Sequence, residues 1–178
     1  NLTYLGGDIL RTKKISSPLK RLKHSIKNQN KWDTFNWLLD VSERNNCRSH
    51  FFFMADSKGK YGADYSLKNN FIQKQILQIS KRGHKIGLHP GYNTFNDPVK
   101  FHNEKSQLEL HSKKQIISSR QHYLRFDMPI SWNTIEQNKI KTDHTMCYAD
   151  ISGFRCGTTQ LFPVFDFLKK KKLNVTEH

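Results

Sequence analysis

The stretch Gly83-His84-Lys85-Ile86-Gly87-Leu88-His89-Pro90-Gly91 decides how the rest of the chain is read. His84 to His89 is a short apolar-centred run that Pro90 and Gly91 end, which predicts a strand. Upstream of it Phe71, Ile72, Gln75, Ile76 and Ile79 recur at three and four residues until Gly83, the spacing of one buried helix face. Further upstream, Ser49-His50-Phe51-Phe52-Phe53-Met54-Ala55 is a continuous apolar run, the pattern of a strand buried on both faces of a parallel sheet. Before that, Trp32, Phe35, Leu38, Leu39 and Ser42 predict an amphipathic helix over 32–44, stopped by Asn45 and Asn46, behind a basic loop-and-helix lead-in over 1–30.

Downstream the alternation continues. Pro98 can open a helix over 99–112 that carries Phe101, Leu108 and Leu110 with Glu104, and 115–124 follows as a strand. Ser131 is a candidate N-cap on a short helix, 139–148 returns as strand-like, 162–168 reads as a further helix, and 173–178 as a strand. Strand, helix, strand in this order favours parallel βαβ units with right-handed crossovers, in either an open doubly wound sheet or a barrel. Both architectures bind ligands at the C-terminal ends of the strands. No repeat or low-complexity linker interrupts the pattern, so 1–178 reads as one α/β domain.

Composition narrows the function classes. With 178 residues, 35% of them hydrophobic, the chain can bury roughly 70% of its unfolded surface without disulfide or metal staples. Cys47, Cys147 and Cys156 are odd in number and lack CxxC spacing, which predicts buried free thiols in a reducing, cytoplasmic setting. No apolar run approaches the roughly 20 residues of a membrane helix, so no membrane span is expected. Lys and Arg total 30 against 15 Asp and Glu, a net charge of +15. Lysine predominates, the basic residues are scattered, and the run Lys169 to Lys172 reads as a solvated helix end, so no nucleic-acid partner is expected. A basic nucleic-acid-binding module is the third-ranked reading, which the salt dependence of retention on heparin would expose.

A polar group at the C-terminal end of a buried strand is placed for chemistry, and three clusters qualify. In the first, His89 ends its strand and is the candidate ligand, or else a hydrogen-bonded turn histidine. His84, five residues away and on the opposite face, reads as structural. In the second, period-two alternation puts Arg120, His122 and Leu124 on one strand face and Gln121, Tyr123 and Arg125 on the other. A buried arginine needs an acceptor, so Arg120 or Arg125 is expected to hold an anion or orient an acid such as Asp143 or Asp150, unless the strand is a solvated edge. In the third, over 143–157, Asp143, His144, Asp150 and Arg155 lie among glycines, with an Asp150–Arg155 ion pair and a catalytic role both open.

The phrases Gly-His-Lys-Ile-Gly-Leu-His-Pro-Gly-Tyr-Asn-Thr at 83–94, Arg-Gln-His-Tyr-Leu-Arg-Phe at 120–126 with Pro129 and Trp132, and Tyr-Ala-Asp-Ile-Ser-Gly-Phe-Arg-Cys-Gly-Thr at 148–158 together resemble a known family. It is the polysaccharide deacetylases of the NodB-homology group, carbohydrate esterase family 4, in a branch found in bacterial surface-polysaccharide clusters. The resemblance spans roughly 32–178. It implies a distorted (β/α) barrel and a divalent metal, zinc by default, held by an aspartate and two histidines. The implied activity is hydrolysis of an acyl group from an N-acylated sugar or polysaccharide precursor.

Mapped onto this sequence, the resemblance implies His89, His122 and Asn93 as metal ligands, Asn93 standing where the family's second histidine would fall. It implies Arg120, Arg125, Asp143, Asp150 and Arg155 as the catalytic framework, and Tyr92, Tyr123 and Trp132 as sugar-binding aromatics. The family's Asp-rich phrase that ends the first strand has no counterpart, since Gly6-Gly7-Asp8 reads as a loop, and the closing strand with its general-acid histidine is not reached. The expectation is therefore a barrel incomplete at both ends, without a visible base. A non-catalytic carbohydrate-binding pseudoenzyme or inactive fragment is the rival reading.

Overall fold

A computed structural model of the chain describes residues 33–57 and 59–178, so the lead-in over 1–30, Gly6-Gly7-Asp8 and Trp32 lie outside the described residues. The described residues fall into two units that divide after Arg44. In the first, helix α1 (Phe35–Arg44) falls within the expected span, with Leu39 buried but Leu38, expected on the same face, 39% exposed.

The second unit, Asn45–His178, begins with strand β1 (His50–Phe53), and its first helix is set by local chemistry. The side chain of Asn69 accepts a bond from the Phe71 amide at 2.8 Å, capping α2 (Asn70–Lys81). Ile72, Gln75, Ile76 and Ile79 form its buried stripe, and Gly83, at φ +76°, takes the left-handed conformation just past its end. Strand β2 (Lys85–Leu88) follows. Asp97 then accepts from the Lys100 amide at 2.9 Å and Pro98 fills the first turn of α3 (Pro98–Ser112). That helix buries Phe101, Lys105 and Leu108, whereas Leu110, expected on the same face, is 67% exposed.

After α3 the chain departs from the predicted pattern. The strand expected over 115–124 shrinks to β3 (Ser118–Ser119), and His122–Leu124 forms a short 3-10 turn in which Tyr123 and Leu124 have φ of +56° and +52°. The period-two assignment of Arg120, His122 and Leu124 to one face therefore fails. Helix α4 (Ile130–Gln137) starts after Pro129, so Ser131 is not its N-cap; the Ser131 hydroxyl instead accepts from the Asp127 amide at 2.9 Å. Strand β4 is only Thr142–Asp143. The helix expected over 162–168 is strand β5 (Phe162–Asp166), which turns back into β6 (Lys171–Glu177). Lys169 to Lys172 thus sit at a hairpin, not at a helix end.

The sheet runs β1-β2-β3-β4-β6-β5, parallel throughout except for the antiparallel β5–β6 pair. Cross-strand partners share a face. Phe53, Leu88, Ser119, Asp143 and Glu177 therefore form one row, and all are buried. On this face α4 sends Trp132 against Glu177. The residues one step back, Phe52, Gly87, Ser118, Thr142 and Thr176, look out from the other face. There β1 is half-buried rather than covered on both sides as expected.

Candidate active site

Backbone pairing continues one residue past each strand: His89 N donates to Phe53 O, Arg120 N to Leu88 O, His144 N to Ser119 O and His178 N to Asp143 O. His89, Arg120, His144 and His178 are thereby aligned along the C-terminal edge of the sheet, where the placement rule puts chemistry. His89 and His122 meet there. The Nδ1 of His89 bonds to the Arg120 carbonyl, and its Nε2 lies 2.9 Å from Nδ1 of His122. With its Nδ1–H donated to that carbonyl, His89 carries the Nε2 lone pair toward His122. Burial lowers the pKa of both rings.

The left-handed turn delivers His122. Successive positive φ values at Tyr123 and Leu124 cost roughly 1–3 kcal/mol each, and a network around Gln121 holds the chain there. Gln121 N donates to Thr145 Oγ1 at 2.9 Å, and its Nε2 to Thr94 Oγ1 at 2.8 Å and Gly91 O at 3.1 Å. The same turn leaves Tyr123 64% exposed beside His122, with ring centroids 4.5 Å apart. Tyr61 stacks on Tyr92 at 4.2 Å and meets Tyr123 edge-on at 5.5 Å, completing an aromatic cluster. No motif in the sequence marked Tyr61, because it comes from the loop after β1.

Several predicted partners are elsewhere. Asn93 is exposed and its Oδ1 faces Arg125 Nη1 at 3.4 Å, so it does not join His89 and His122 as a third ligand. Among the described residues no group of three His, Cys, Asp or Glu side chains comes together as a metal site. The histidine pair offers two donors of the three that a catalytic zinc normally takes.

Neither arginine pairs with a carboxylate among the described residues. Arg125 Nη1 donates to Tyr92 O at 2.6 Å, and its guanidinium lies 3.9 Å from the Tyr92 ring centre and 4.2 Å from that of Phe95. Arg120 donates to Cys147 Sγ at 3.0 Å. Asp150 and Arg155 are both exposed and make no ion pair among the described residues. Trp132 is buried in the helix-covered layer, where it cannot stack on a sugar, and donates from Nε1 to Glu177 Oε2 at 3.2 Å. The cysteines are free as expected, but Cys47 is exposed and the other two are half-buried. His84 is the structural residue expected, its Nδ1 accepting from Ser49 N at 3.0 Å.

Asp143 belongs to a buried carboxyl pair instead of an arginine site. Its Oδ1 accepts from Ser119 Oγ at 2.8 Å, while Oδ2 has no donor. Glu177, its partner in the β4–β6 register, accepts from Met146 N at 2.8 Å through Oε1 and from Trp132 through Oε2. Burial, and then the charge of Asp143, push Glu177 up to about 8; burial also raises Asp143. Two neighbouring carboxyl groups out of water disfavour being charged together, which is why both are shifted upward. Glu104, which accepts from the Gly91 amide at 2.7 Å beneath the rim, is likewise pushed up to about 7 by burial and the nearby Asp56.

These shifts set a pH dependence. Glu104 and Glu177 are raised from 4.5, so their contribution to stability is full below about 4.5 and is lost as pH rises through 7 and 8. His50 and His144, lowered to about 4 chiefly by burial, contribute in the opposite sense, losing stability as pH falls from 6.5 toward 4. Between 4.5 and 6.5 the two effects offset one another. Above 6.5 only the carboxyl groups still titrate, so the melting temperature is expected to fall between pH 6.5 and 8.5. A melting temperature that held or rose over that interval would mean the carboxyl pair is solvated.

No family model matches the chain, and no curated protein is similar to it. Two solved structures show a distant likeness. A crystal structure of a protein assigned as a polysaccharide deacetylase from Mycobacterium smegmatis aligns at 15% identity and TM-score 0.49, over 65% of this chain and 38% of that one. IcaB from Ammonifex degensii aligns at 14% identity and TM-score 0.49, over 65% of this chain and 55% of its own. The chain thus spans well under two thirds of either, and no residue role is taken from them.

Proposed function

We propose that the chain is part of a metal-dependent deacetylase, built on a distorted (β/α) barrel, that removes an N-acetyl or other acyl group from a sugar precursor of a surface polysaccharide in the cytoplasm. The observation that carries this reading is the His89–His122 pair at the C-terminal edge of a parallel sheet, with the Tyr61, Tyr92 and Tyr123 rings beside it. His89 and His122 would hold a divalent cation, zinc by preference for imidazole, which when bound supplies Lewis-acid polarisation of the acyl carbonyl. Arg120 orients the site through its backbone carbonyl on His89, and Arg125 and Tyr61 hold Tyr92 between them, leaving the exposed Tyr123 ring to stack on a sugar.

The test is metal content beside acetate release from an N-acetylglucosamine oligomer, using the full-length protein and its His89→Ala variant. Both are expected to be lost together. Retention of stoichiometric metal by His89→Ala would overturn the ligand assignment. A full-length protein that releases acetate from no acylated sugar would leave the second reading, a carbohydrate-binding protein without turnover. That reading is favoured by the lack of a third ligand among the described residues.

A further inference from the structure

On the face of the sheet opposite the Asp143–Glu177 row, behind the His89–His122 pair, the side chains are basic and meet no carboxylate among the described residues. His144 meets His50 edge-on, ring centres 5.0 Å apart, and His178 at 5.0 Å in a tilted arrangement. Phe52 stacks on His50 at 4.3 Å and closes the cluster from below. Among the described residues, Lys85, paired in register with His50, is exposed and makes no ion pair, and the side chain of Arg120 donates only to the weak sulfur acceptor of Cys147. Ser118 Oγ lies 2.7 Å from His50 Nε2, and Thr142 and Thr176 stand in the same row. Hydroxyls, imidazoles and the two cations Lys85 and Arg120 therefore line this face. The carboxylates of the next row, Asp143 and Glu177, lie on the opposite face.

The chemistry of that face is selective. Among the described residues these histidines form no group able to hold a metal, and the positive charges of Lys85 and Arg120 meet no carboxylate on this face, which favours an anion between them. A lysine, an arginine and three imidazoles can together donate to several oxygens of one group, which suits a phosphoryl group. We infer that this face, lined by Lys85, Arg120, His50, His144 and His178, is a binding site for the phosphoryl group of a phosphorylated sugar. Arg120 links it to the deacetylase site, since its carbonyl holds His89 while its guanidinium faces the basic cluster. The anion site stands whether or not His89 and His122 carry a metal.

Binding of inorganic phosphate, a hexose 1-phosphate and the uncharged hexose to the full-length protein, measured by calorimetry, tests it without any readout of acetate. The hexose phosphate is expected to bind, the uncharged sugar to bind at least about tenfold more weakly, and Lys85→Gln with His178→Gln to weaken phosphate binding about tenfold or more. Both of those side chains are exposed, so the variant keeps its core. His111→Gln, on α3, controls for diffuse attraction to a basic surface and should leave binding unchanged. Equal losses in the His111 control, or equal binding of charged and uncharged sugar, would overturn the site. Binding of inorganic phosphate with none of the sugar phosphate would overturn the sugar phosphate as its ligand.

Discussion

Glu177→Ala is expected to destabilise the protein by about 2–6 kcal/mol, a large part of the roughly 5–15 kcal/mol that holds an ordinary domain together. The size follows from what the carboxyl group satisfies. Its oxygens take bonds from the Trp132 indole and the Met146 amide, both in the buried layer, and removing it strands two donors at about 1–3 kcal/mol each. Glu177→Gln keeps the volume but only one acceptor, so it should fall between the two. Denaturant unfolding measures the series, and Trp132→Phe completes a double-mutant cycle with Glu177→Ala. A loss below 1 kcal/mol in Glu177→Ala would show that water reaches both donors.

The second large effect comes from Gly87. A Cβ there would lie 2.6 Å from Cδ1 and Cε1 of Phe52 and 2.8 Å from Ser118 Oγ. Gly87 sits in the middle of β2 with a paired strand on each side, so the backbone cannot retreat. Gly87→Ala should cost about 1–3 kcal/mol, and Gly87→Val more. Phe52 also stacks on His50, so its displacement should disturb the histidine cluster and weaken phosphate binding together with stability. Phe52→Leu, by freeing the space beside Gly87, should recover part of the loss in the Gly87→Ala background. Additive losses would mean that the Cβ meets something other than the Phe52 ring.

Legibility of the site followed the range of the interaction that fixed each residue. His89 was readable because a strand, its end and the polar residue after it are adjacent in sequence. His122 does lie beside His89, but not for the reason alternation offers. It reaches His89 through a left-handed turn, not along the face of a strand, and alternation has no term for two consecutive positive φ values. Its place in a phrase made Trp132 a candidate sugar-binding aromatic. Its depth depends on α4 packing against β6, a contact with a residue 45 positions away. The arginine pairing failed for a similar reason: Asp143 faces the helix-covered layer while the Arg120 side chain faces the open one.

Periodicity, caps and breakers are local, and they were enough to determine α2, β2, α3 and the parallel order of the first three strands. They also placed His89 at the functional edge. Register between strands is set by pairing partners far apart in the chain, and a shift of one residue exchanges the faces of a whole strand. Only the tertiary structure could therefore align His144 and His178 with His89 and Arg120, bury Asp143 against Glu177, and turn the apolar run at 162–168 into a hairpin strand instead of a helix. That last segment carries both patterns in its composition. Pairing with β6, which no window of sequence contains, decides between them.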